Sequence, residues 1–106
     1  MKRVILESPY AGQITRNLHY AKLALKDSLL RGEAPLVSHL LYTQVLQDEV
    51  PAERERGISA GLAWLRQAEE VVFYVDYGMS PGMTRTFLMV DELEIPYDMR
   101  YILTLK

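Results

Sequence analysis

Apolar runs of strand length alternate along this chain with stretches of helical period. Val4-Ile5-Leu6 is apolar throughout and gives way to Ser8-Pro9-Tyr10-Ala11-Gly12, which predicts a buried strand opening into a loop. Ile14, Leu18, Ala21, Leu25 and Leu29 then recur at helical spacing, with Arg16, Lys22 and Lys26 opposite and Gly32 as a stop. This predicts a helix over 13–31. Ala34-Pro35-Leu36-Val37-Ser38-His39 reads as a second strand that starts late or lies at an edge, because proline cannot donate to a ladder. Leu40 to Leu46 is apolar without a clear period and reads as short helical or irregular chain. Pro51, with Glu53 and Glu55 behind it, opens a helix whose apolar face is Ile58, Gly61, Leu62 and Leu65 and which ends near Gln67. Val71-Val72-Phe73-Tyr74-Val75 has no polar alternation, as expected of a central parallel strand buried on both faces. Ser80-Pro81 forms a cap and first turn for a helix from about 81 to 93. Ile95-Pro96 breaks it, and 97–103 reads as a final strand.

This order of elements predicts an α/β fold: a small parallel sheet of about four strands with helices on both faces, flavodoxin-like or Rossmann-like. The 106 residues suit one domain. Twelve basic and 14 acidic side chains leave a net charge of −2, without the basic excess expected of a nucleic-acid binder. The chain has no cysteine, which removes disulfides, zinc ribbons and thiol nucleophiles. Two histidines, without a carboxylate pattern around them, predict no metal site. No cofactor is expected: the loops lack the Gly-x-Gly-x-x-Gly dinucleotide fingerprint and the P-loop lysine. No apolar run approaches the roughly 18 residues of a membrane span. The acid at Glu7 follows only three apolar residues, too few for a signal-peptide core, so a cytoplasmic location is expected.

In open α/β sheets, ligands bind beyond the carboxyl ends of the strands. The first loop puts Ser8, Tyr10, Ala11 and Gly12 there, with Asn17 one turn into the helix that follows. The second strand ends at His39. The third ends at Asp76, followed by Gly78, Ser80, Pro81, Gly82 and Met83. Helix N-termini favour phosphate or carboxylate groups, so Ser80 and the backbone of Gly82 and Met83 are assigned to a phosphate. Asp76 is assigned to a ribose, and Tyr10 to packing on sugar or base. Asp48 and Arg54 are placed at the flank of the same pocket, although a solvated first turn is the simpler reading of Glu53-Arg54-Glu55-Arg56. His19 reads as a boundary residue of its helix.

Ser8-Pro9-Tyr10-Ala11-Gly12, Asn17, the strand ending at Asp76 and Ser80-Pro81-Gly82-Met83, in that order and spacing, resemble a family of small phage and prophage proteins. These look like compact relatives of nucleoside 2-deoxyribosyltransferases and deoxynucleotide N-glycosidases. The resemblance covers nearly the whole chain, 1–106. It implies a nucleoside 2-deoxyribosyltransferase-like domain, a nucleotide or nucleoside ligand and a homodimer or higher oligomer, in a bacterial host cytosol if phage-encoded. In active relatives a glutamate attacks the anomeric carbon, from a position one turn after a Gly-Thr or Gly-Val pair. Here Gly82-Met83 matches that pair and Thr86 falls on the glutamate position. Threonine cannot act as a carboxylate nucleophile. The expected protein is therefore a binder that sequesters a nucleotide-derived ligand. The alternative is an active deoxyribosyltransferase or N-glycosidase with a relocated carboxylate, for which Glu7 and Asp76 are the candidates. A third reading is a protein-interaction module.

Overall fold

The computed structural model describes residues 1–103. The elements run β1 (Lys2–Glu7), α1 (Ile14–Leu30), β2 (Glu33–Leu36), α2 (Ser38–Leu41) with a single 3₁₀ turn (Tyr42–Gln44), α3 (Pro51–Leu65), β3 (Glu70–Tyr74), α4 (Pro81–Glu92) and β4 (Tyr97–Arg100). The four strands form one sheet in the order β2-β1-β3-β4, parallel throughout. The α/β class and the flavodoxin-like or Rossmann-like arrangement are as the sequence predicts. β2, which carries Pro35, is an edge strand. β3 is interior, with Val71, Val72, Phe73 and Tyr74 all buried.

Two apolar cores lie on opposite faces of the sheet. Val4, Leu6, Val72 and Tyr74 pack with Tyr20 and Ala24 of α1, and with Val37 after β2. Ile5, Val71 and Phe73 pack with Leu65 of α3 and with Met83 and Val90 of α4. Alternate residues of β1 and β3 feed the two cores, as the strand period requires.

α1 departs from its predicted face. Ile14 and Leu29, at the ends of the predicted stripe, are 45% and 50% exposed, whereas Asn17, Tyr20, Ala21, Ala24 and Ser28 are buried. Two physical reasons account for the rotation. Alanine and serine let the helix lie close to the sheet. Asn17, Tyr20 and Ser28 have hydrogen-bond partners beneath the helix, which removes the penalty for burying them.

Two further boundaries differ. Ser38 and His39 do not end the second strand, which pairs with β1 only over Glu33–Leu36, but open α2. β4 stops at Arg100 rather than continuing to residue 103. Beyond it, the Ile102 and Leu103 amides donate to the Asp76 carboxylate instead of to a neighbouring strand.

Candidate functional site

The strand order reverses direction between β1 and β3, so the crevice beyond their carboxyl ends is the expected ligand position of such a sheet. A cavity of about 290 Å³ lies there. β1 delivers Glu7 and Ser8 to it, and the loop that follows delivers Tyr10 and Ala11. α2 contributes His39, the start of α3 contributes Arg54, and Asp48 precedes that helix. Ser80, Pro81, Gly82, Met83 and Thr86 come from the start of α4.

Close approach of α3 to the α2 segment shapes one wall. A Cβ at Gly61 would come within 3.3 Å of Ser38 Oγ, and one at Gly57 within 3.4 Å of Leu46 Cδ1. Leu46, Ile58 and Leu62 make that wall apolar.

The polar floor combines a neutral imidazole with a carboxyl that titrates near neutrality. Ser8 Oγ and His39 Nε2 are hydrogen-bonded at 2.7 Å. Burial pulls the His39 imidazole down from 6.5 to about 4, so it stays neutral well below pH 7. Burial also pushes the Glu7 carboxyl up from 4.5 to about 7, outweighing the opposite pull of the Thr86 hydroxyl facing it.

At the lip, Arg54 lies 3.9 Å from Asp48. Arg85 lines the cavity and makes no ion pair among the described residues. The α4 terminus is largely capped from within. Ser80 Oγ accepts from the Met83 amide at 3.2 Å, and the Thr84 amide donates to the Ser80 carbonyl at 2.9 Å. Pro81 has no N–H, which leaves the Gly82 amide as the open donor of that turn.

Four residues assigned to the ligand from sequence stand outside the cavity lining. Asp76 is used as a clasp. Its carboxylate accepts from the Tyr20 hydroxyl and from the Ile102 and Leu103 amides, and these bonds hold it below its ordinary range despite partial burial. It stands outside the lining of this cavity, with its carboxylate committed to contacts within the fold. Asn17 holds the first loop in place: its Nδ2 donates to the Tyr10 carbonyl at 2.9 Å and the Ala11 carbonyl at 3.2 Å. Gly12 and Gly78 supply turn geometry, at φ of +92° and +81°. Met83 lines the cavity, but its amide is already taken and cannot hold a phosphate as assigned.

Sequence reasoning missed Arg85 and the α3 wall. The paired glycines Gly57 and Gly61, one turn apart, were the available sign of a close approach. Glu53, in the run that reads as a solvated first turn, lines the cavity and accepts from the Gln47 amide at 2.9 Å. Among the described residues, no cluster of three or more histidine, cysteine or acidic side chains could hold a metal ion. No helix among them is long and apolar enough to cross a membrane.

Fold and site together define a small parallel α/β domain with one face of its switch point opened into a ligand-sized cavity. The chain belongs to the family described as a domain of unknown function, DUF7768, whose model matches residues 2–100. No curated protein and no solved structure matches it.

Proposed function

We propose that the cavity binds a nucleoside or nucleotide-derived molecule and retains it. The observation that carries this reading is the division of polarity within one small space. The floor of Glu7, Ser8 and His39 offers a carboxyl titrating near neutrality, a hydroxyl and a neutral imidazole, and the lip offers the Arg85 guanidinium and the Gly82 amide. A sugar or base suits such a floor, and a phosphate suits such a lip. Small-ligand clefts run from about 300 to 1,000 Å³, so 290 Å³ suits one nucleoside and is small for a dinucleotide. Tyr10 at the wall can pack on the sugar or base. With Asp76 occupied elsewhere, Glu7 takes over the sugar contact assigned to it. The resemblance to deoxyribosyltransferase-like phage proteins points the same way.

A second reading is favoured by Glu7 itself. The carboxyl absent at Thr86 is supplied beside Thr86 by β1. An acid titrating near neutrality can give its proton to a departing base, which is what N-glycoside cleavage needs.

Incubation of the protein with a mixed nucleotide and deoxynucleotide pool, followed by native mass spectrometry and chromatography of the pool, separates the readings. A retained ligand with an unchanged pool supports binding, and Arg85→Glu is then expected to weaken it at least tenfold. Free base that disappears in Glu7→Gln supports the enzyme. No retained ligand and no free base overturn both and leave a protein-interaction module.

A further inference from the structure

We propose that Ser8, with His39 as its base, is a nucleophile that takes up the acyl group of a small carboxylic ester bound in the cavity. Ser8 sits where β1 ends and the chain turns toward α1, followed by the rigid Pro9. It is only 5% exposed, and it lines the cavity. Its hydroxyl oxygen lies 2.7 Å from His39 Nε2, the spacing of a nucleophile and its base. His39 comes from a different element, α2, so the pair is formed by the fold and not by local sequence. Half-buried and held as a neutral ring, His39 presents Nε2 as an acceptor when Nδ1 carries the proton.

The rest of the cavity suits an ester. Leu46, Ile58 and Leu62 provide an apolar wall for its carbon chain. The Gly82 amide, at the positive end of α4, is the open donor available to a developing oxyanion. In the first step the Ser8 Oγ–acyl bond forms and the bond to the leaving alkoxide breaks. The Ser8 proton passes to His39 Nε2 and then to the alkoxide, which leaves as the alcohol. Water then attacks the acyl carbon, its proton returns through His39 to Ser8 Oγ, and the carboxylic acid departs. This activity would use the same cavity as the nucleotide reading, and the adduct and acyl turnover test it separately from nucleotide retention.

The test is labelling of the intact chain with an alkyl fluorophosphonate, in which the Ser8 Oγ–P bond forms as P–F breaks and HF is released. Intact mass and peptide mapping locate the adduct, and p-nitrophenyl acetate reports acyl turnover. The expected result is a single adduct on Ser8, absent in Ser8→Ala and formed roughly 100-fold more slowly in His39→Gln. His39→Asn serves as a second variant, with circular dichroism to check folding. No adduct on the folded wild-type protein overturns the proposal. So does an adduct on another residue, or a Ser8 adduct whose rate does not change in the folded His39 variants.

Discussion

Glu7 and Glu33 are the same residue type in opposite circumstances. Glu33, at the start of β2, is buried and meets Arg100 through two hydrogen bonds of 2.8 and 2.7 Å. Ser28 donates to it at 2.8 Å, and the Tyr74 hydroxyl joins Arg100 to Asp27. Pairing with Arg100 outweighs burial and holds the Glu33 carboxyl below its ordinary range. The Arg100 guanidinium is raised in turn, and the Tyr74 phenol is pushed up to about 12, mainly by burial. Glu7, at the far end of β1, has no cation beside it among the described residues and moves the other way, to about 7, because of burial. The first carboxylate is a fixed part of the fold. The second remains free to exchange a proton with whatever occupies the cavity. Paired burial marks architecture, and unpaired burial beside a cavity marks a candidate for chemistry.

The largest expected effect comes from breaking the paired site. Arg100→Met leaves Glu33 as an uncompensated buried charge and should cost about 3–5 kcal/mol in urea denaturation. Adding Glu33→Leu to that variant should recover much of the loss, because the stranded charge is then gone. If Arg100→Met is harmless alone, the contrast between the two carboxylates fails.

Next is the pH dependence of the unpaired site. Glu7 titrates near 4.5 unfolded and about 7 folded, so its contribution is present below pH 4.5 and lost as pH rises to 7, by about 3 kcal/mol. His39 titrates near 6.5 unfolded and about 4 folded, so its contribution is present above pH 6.5 and lost as pH falls toward 4, by a similar amount. In the natural protein the two oppose each other between roughly pH 4.5 and 6.5. Glu7→Gln should therefore gain stability as pH rises through that window, and His39→Gln should lose it. Urea midpoints taken across pH 4.5–8 would show the two slopes with opposite signs. Parallel slopes would mean that the two groups do not share one buried floor.

A smaller effect separates Asp76 from the cavity. Asp76→Ala strands the Ile102 and Leu103 amides and should cost about 2 kcal/mol in thermal or urea unfolding. Any ligand found for the cavity should bind the folded variant with unchanged affinity, measured by calorimetry. A large loss of affinity would return Asp76 to the site.

The smallest effect is at the lip. Asp48 and Arg54 form an exposed pair at 3.9 Å, and Asp48→Asn should change stability by less than about 1 kcal/mol. A larger change would show that the lip is structural, like the Glu33–Arg100 pair.

The periods of the sequence determined the element order, the parallel sheet and the buried centre at β3. Those features are set by local spacing and by short connections, which one chain carries in full. The sequence also put Ser8, Tyr10, Ser80 and Gly82 at the ends of strands, where the cavity lies. It could not decide which polar residues would be claimed by the fold itself. Asp76 looked like a ligand contact until Tyr20 and the chain after β4, distant in sequence, were brought onto its carboxylate. The buried face of α1 was misread because Asn17, Tyr20 and Ser28 count as polar by type, and only their partners make their burial favourable. Glu7 and Glu33 are likewise indistinguishable in the sequence. Their opposite shifts depend on whether a cation is folded against them, and tertiary structure alone sets that distance.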